Sequence, residues 1–221
     1  SAGTIVESER FASFRDPGGR LLEQDGRMVR LVWPEGVESA LIFLNSAKLG
    51  AFREAGRVVQ ARVAPSGSDA WGTGASLVLE HPRLDFPSYP YEWAPEMLAE
   101  AGRLTLDLAD ALLAEGLGLK DATPFNVLFD GHRPVFVDAL SVERRDPLDP
   151  IWAPMAQFQR TFVFPLLAQE RGMSLAQSLG SRREGIEPEE LARLAGPALR
   201  WAPPFLTLAT LPAVLGRNRR A

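Results

Sequence analysis

Between Pro95 and Asp138 the chain changes character three times in quick succession, and this segment constrains the fold more than any other. Leu98, Ala101, Thr105, Leu108 and Leu112 recur at spacings of three and four after a proline suited to a first helical turn. The pattern predicts an amphipathic helix ending near Gly116. A polar loop follows, Leu119-Lys120-Asp121-Ala122-Thr123-Pro124-Phe125-Asn126. Val127-Leu128-Phe129 and Pro134-Val135-Phe136-Val137 then flank the turn Asp130-Gly131, a strong hairpin signal, and the second strand runs into Asp138. Helix, loop, hairpin and acid in that order demand a mixed architecture.

The residues before this segment read as a small β-rich lobe. Ser13-Phe14-Arg15, Leu21-Leu22-Glu23-Gln24 and Met28-Val29-Arg30-Leu31-Val32 are separated by Asp16-Pro17-Gly18-Gly19 and Asp25-Gly26, which predicts a three-stranded antiparallel meander. Glu35 to Gly56 shifts to helical spacing and predicts one or two short helices. Val58–Val63 and Ser76–Glu80 read as two more strands. Leu84 to Trp93 holds three prolines among aromatic residues and reads as a linker. Beyond the hairpin the chain reads as helical over Trp152–Gln169, Pro188–Ala195 and parts of 198–214. The expected division is therefore a β-rich lobe over 1–84, a hinge over 85–93 and a helical lobe over 94–221.

Composition removes several function classes. The 221 residues contain no cysteine, so disulfides, thiolate metal sites and cysteine nucleophiles are excluded. Histidine occurs only at 81 and 132, too few for a multi-histidine metal site. The net charge of -4 argues against nucleic acid as the main partner. No apolar run approaches a membrane span and no signal-peptide pattern is present, so the expected setting is cytoplasmic and away from membranes. Of the 24 basic residues only Lys48 and Lys120 are lysines. Chemistry that needs an amine has few candidates.

The loop and hairpin resemble the catalytic segment of the protein-kinase and aminoglycoside-phosphotransferase superfamily, where a loop Asp is followed five residues later by Asn and a second Asp closes the next hairpin. Here these are Asp121, Asn126 and Asp138. Pro124 falls where many kinases carry proline. Leu119 and Lys120 replace the usual histidine and arginine, and Ala139-Leu140 replaces Phe-Gly. The resemblance implies a bilobal kinase-like α+β fold, with a small antiparallel β lobe carrying a helical insertion and a larger, mostly helical lobe. It implies ATP and Mg²⁺ as cofactors in the cleft between the lobes. Asp121 would orient or deprotonate an acceptor hydroxyl, and Asn126 and Asp138 would give oxygen ligands to the metal. The turn Pro17, Gly18 and Gly19 would cover the phosphates. Glu80, on the strand before the hinge, joins the nucleotide-binding set. The strand that should bear a lysine has Arg30, either a phosphate clamp or a solvated strand residue, with Lys48 as the other basic candidate. A plainer alternative is that Asp121 and Asn126 shape a turn and Asp138 caps the next element.

A narrower resemblance rests on Phe14-Arg15-Asp16-Pro17-Gly18, Ser88-Tyr89-Pro90-Tyr91-Glu92-Trp93 and the segment from Leu119 to Ser141. These patches look like the kinase-like N-terminal region of a group of bacterial class I SAM-dependent methyltransferases. The implied function is an ATP- and Mg²⁺-dependent phosphotransferase acting on a hydroxyl of a small molecule or a partner-delivered substrate. The alternative it implies is an inactive kinase-like scaffold that serves a methyltransferase domain or protein. No glycine-rich turn of the kind that binds SAM is seen in the sequence itself. Tyr89, Tyr91 and Trp93 either line a pocket or pack a proline-rich hinge.

Overall fold

The computed structural model describes residues 18–24, 27–65 and 74–217. Asp16, Pro17 and the first strand of the expected meander lie outside these residues. The architecture is α+β, as expected, and the chain divides into two compact units that are not contiguous in sequence. The first comprises Ser1–Pro87, Leu106–Lys120 and Phe129–Pro150, and the second Ser88–Thr105, Asp121–Leu128 and Ile151–Ala221.

In the first unit β1 (Gly19–Gln24) and β2 (Arg27–Val32) pair antiparallel, with Gly19 opposite Val32 and Leu22 opposite Val29; Asp25-Gly26 lies outside the described residues. Two short helices follow, α1 (Val37–Asn45) and α2 (Ala47–Glu54). Ser46 divides them: its extended backbone ends α1, and its hydroxyl accepts the Leu49 N–H to cap α2 while donating to Glu115. Next come β3 (Arg62–Val63) and β4 (Leu77–His81), completing an antiparallel sheet in the order β1-β2-β4-β3. The strand expected over 58–63 is thus confined to two residues. Val58 leaves the sheet instead and forms a parallel bridge with Phe136.

Strand alternation sorts the sheet into two faces. Val29, Leu31 and Val78 build an apolar cluster with Ala64 and Ala75 on one face. Arg30 and His81 fall on the other.

Helix α3 (Pro95–Leu113) buries Leu98, Ala101, Thr105, Leu108 and Leu112, the stripe its spacing predicts, and Leu104 beside them. It ends before Gly116, whose backbone is left-handed. The short strand β5 (Leu117–Leu119) leads to the loop, and β6 (Val127–Asp130) with β7 (Arg133–Phe136) forms the expected hairpin. β8 (Val142–Arg144) then pairs antiparallel with β5.

In the second unit α4 (Met155–Phe158), a π-helical turn over Gln159–Val163 and α5 (Phe164–Gln169) run in succession. α6 (Leu175–Leu179) starts with a Ser174–Gln177 capping box, α7 (Pro188–Leu199) kinks at Gly196-Pro197, and α8 (Leu211–Arg217) follows. Phe164, Ala168, Ile186, Leu191, Ala195, Phe205 and Ala209 form the core of this unit. Among the described residues no helix is long and apolar enough to cross a membrane.

Candidate functional site

In the first unit the candidate residues converge on the polar face of the sheet. Arg30, in the middle of β2, is 6% exposed, so it is a buried cation and not a solvated strand residue. A cation this deep needs a partner. Its Nη1 lies 3.4 Å from Oδ1 of Asp138, just beyond β7. The same carboxylate oxygen accepts the Leu140 N–H at 3.1 Å, which fixes the turn after the hairpin. Gly18 and Gly19 are buried beside this turn. A side chain on Gly19 would collide with the Leu31 carbonyl and approach Cδ1 of Leu140 to 3.0 Å. The structure pairs Arg30 with Asp138 and sets Gly19 against Leu140, two residues beyond that carboxylate. Pro17 lies outside the described residues.

His81, at the end of β4, shares this face and completes the group. Its Nδ1 lies 3.1 Å from the Gln60 carbonyl, and its Nε2 is buried without a hydrogen-bond partner among the described residues. Burial, followed by the positive charge of Arg30, lowers the ring pKa to about 4, opposed by the Gln60 carbonyl and the negative charge of Asp138. The ring is consequently neutral at neutral pH, donating from Nδ1 and leaving Nε2 as an acceptor. Neither His81 nor its place beside Arg30 is signalled by a motif, because a single histidine in a strand carries no spacing pattern.

Glu80 does not join them. Opposite Val29 on the other face of the sheet, it takes two hydrogen bonds from Arg62, at 2.7 and 2.9 Å. Lys48 is exposed on α2, and Glu38 pairs with Arg144.

In the second unit the loop carrying Asp121 and Asn126 is held by its backbone. Ala122 N–H donates to Gln157 at 2.8 Å and the Ala122 carbonyl accepts from the Thr161 hydroxyl. Thr123 caps a 3₁₀ turn over Pro124–Asn126, and Pro124 is buried. These anchors leave Asp121 exposed, whereas Nδ2 of Asn126 is buried without a partner among the described residues. Phe125 lies under the guanidinium of Arg183, 5.4 Å from ring centroid to Cζ. Tyr89 and Tyr91 stack at 5.6 Å with nearly parallel rings. Trp93 is buried and donates to the Ser88 hydroxyl, which makes it a packing residue. Arg183 was not accessible to sequence reasoning, being one loop arginine among 22.

Among the described residues no three acidic, histidine or cysteine side chains cluster to hold a metal by themselves. Asn126 and Asp138 are the oxygen donors that the motif supplies.

No protein-family model matches the chain. It is similar to the nodulation protein NoeA of Rhizobium meliloti, 35% identical over 158 residues. That match covers 70% of this chain and 32% of NoeA, so the chain spans about a third of the length of this relative. Among solved structures, vaccinia related kinase 3 superposes with a TM-score of 0.43 at 13% identity, covering 59% of this chain and 46% of that one. The PAN3 pseudokinase of Drosophila melanogaster superposes with a TM-score of 0.33 at 18% identity, covering 90% and 51%.

Proposed function

We propose that this chain is a kinase-like phosphotransferase module that binds ATP with Mg²⁺ and phosphorylates a hydroxyl of a small-molecule or partner-delivered acceptor. The observation that carries the reading is the pair of buried Arg30 and half-buried Asp138. The two residues stand 108 apart in sequence; the resemblance assigns Asp138 to the metal, and Arg30 takes the place of the lysine expected on the phosphates. Phosphoryl transfer depends on placing charge, and a rigid cation beside a rigid carboxylate suits that task. In this reading the acceptor oxygen bonds to the terminal phosphorus, the bond to the bridging oxygen breaks to release ADP, and Asp121 takes the hydroxyl proton.

Mg²⁺, when bound, neutralises charge on the phosphates; Asn126 and Asp138 would be its protein ligands. The donor set suits it, because Mg²⁺ asks for hard oxygens and takes the rest of its shell from phosphates and water. The amide nitrogen of Asn126, buried without a partner among the described residues, is a donor suited to a phosphate oxygen and not a metal ligand; only its Oδ1 could join the shell. A methyltransferase domain as partner and a cytoplasmic setting belong to the same proposal.

A second reading, a kinase-like module that binds without transferring, is favoured by one specific observation. A guanidinium stays protonated, and placed on Asp138 it reduces the negative charge offered to a cation. Incubating the chain and cell extract with ATP labelled in the terminal phosphate separates the two. Transfer is expected with the wild type and a loss of at least about a hundredfold with Asp121→Asn. No labelled product, or equal product with the variant, selects the non-catalytic reading.

A further inference from the structure

Arg183 is built into the second unit in a manner unlike its neighbours. The loop between α6 and α7 is tied down on both sides of it. Arg182 forms a two-pronged pair with Glu190, at 2.6 and 2.7 Å. Ile186 is fully buried, and its N–H donates to the Arg160 carbonyl at 2.9 Å. Arg160 in turn pairs with Glu187 at 2.6 Å. Gly185 adopts φ +76° directly against that carbonyl, where any side chain would collide. Between these anchors Arg183 is exposed and, among the described residues, has no acidic partner. Its guanidinium lies over the Phe125 ring, adjacent in sequence to Asn126. α6 packs against the 3₁₀ turn Pro90–Glu92, bringing Tyr91 and its stacking partner Tyr89 to the same neighbourhood. The positive charge of Arg183 reaches the Tyr89 hydroxyl, opposing the upward pull of burial, Tyr91 and Glu92 on its pKa. The Glu92 carboxylate is itself held by the Tyr89 N–H at 2.8 Å.

A guanidinium laid on an aromatic ring keeps its edge donors free, and those donors form a planar fork that matches carboxylate and phosphate oxygens. We propose that Arg183, positioned by Phe125 beside the Asp121–Asn126 loop, is an anion-binding residue that receives an oxyanion group of the acceptor, a carboxylate or a phosphate. That the ligand is the acceptor rests on the phosphotransferase reading; the anion subsite itself stands on the arrangement of Arg183 alone. The substrate class is thereby narrowed to hydroxyl compounds that carry a negative charge.

The test follows the Arg183 side-chain N–H and the Tyr89 and Tyr91 ring resonances by NMR in the full chain during titration with phenyl phosphate, benzoate and the neutral benzyl alcohol. Both anions are expected to shift these signals, the neutral alcohol is not, and the relative affinities of the two anions tell phosphate from carboxylate. Arg183→Gln is expected to weaken anion binding at least tenfold, and Arg183→Lys to fall between, because it keeps the charge and loses the fork. Unchanged binding in Arg183→Gln, absence of any shift, or equal binding of the alcohol overturns the subsite. Calorimetry with ATP and Mg²⁺ on the same protein separates the two proposals. Silence there, with phenyl phosphate still bound through Arg183, removes the phosphotransferase reading and supports the subsite.

Discussion

Arg30, Asp138 and His81 show how much a single buried charge dictates around itself. An arginine at 6% exposure is costly to bury, and Asp138 supplies a counter-charge at 3.4 Å, so removing either residue unbalances the other. Asp138→Asn, which leaves the buried guanidinium without that counter-charge, is expected to cost about 3 kcal/mol in urea unfolding, with Arg30→Met less harmful because the Asp138 carboxylate keeps solvent contact, and the double variant less costly than the two losses added together. Strict additivity would show that the pair is not coupled. His81 makes a second expectation. Its folded pKa, about 4, lies below the ordinary 6.5, so the unfolded chain binds the proton more readily. Stability is therefore lost as pH falls through 6.5 and goes on falling until about 4, by about 3 kcal/mol in all. His81→Gln has no ring to protonate and should hold a flatter profile over that window. A parallel slope in wild type and variant would assign the acid sensitivity to other groups. The sequence placed Arg30 on a strand and Asp138 at a hairpin end, but burial and partnership depend on chain neighbours far away in sequence, which no local pattern encodes.

At the scale of elements, what was legible followed from periodicity and turn chemistry. α3 matched its apolar stripe, and the Asp25-Gly26 and Asp130-Gly131 turns marked two antiparallel pairs. β5 and β8 were not legible, because three-residue strands give no alternation to read and their pairing joins residues on either side of the hairpin. The shortening of the strand expected over 58–63 has a similar origin: Val59 N–H donates to the Phe136 carbonyl, and Arg57 accepts from Phe136, a tertiary contact that outweighs β propensity. The loop between α6 and α7 carries the sharpest element-scale expectation. Gly185→Ala places a methyl group against the Arg160 carbonyl in a left-handed backbone, so the loop has to move. A loss of at least about 2 kcal/mol is expected in chemical denaturation. Because Arg183 is presented by that same loop, phenyl phosphate affinity should fall with it. Full stability together with full anion affinity would mean that the tether does not position Arg183.

At the scale of the whole molecule, segments distant in sequence are tied into the first compact unit, as the Val58–Phe136 bridge and the β5–β8 pair illustrate. A ligand that binds only the folded chain stabilises it by mass action, by about 2.7 kcal/mol when its free concentration is about 100 times Kd. For a chain of this size the corresponding rise in Tm is roughly 5 to 10 °C. ATP alone is expected to give less than ATP with Mg²⁺, since in the proposed reading Asn126 and Asp138 would hold the metal. Asp138→Ala should reduce the metal-dependent part to near zero while leaving whatever shift the nucleotide gives by itself, and Arg30→Lys should keep part of both because the positive charge remains. The comparison is made on each variant's own Tm without ligand, so the stability lost with the Arg30–Asp138 pair does not enter. A shift that is the same with and without Mg²⁺, or one that survives Asp138→Ala in full, would place the metal ligands elsewhere in the chain and break the link between this pair and phosphate chemistry.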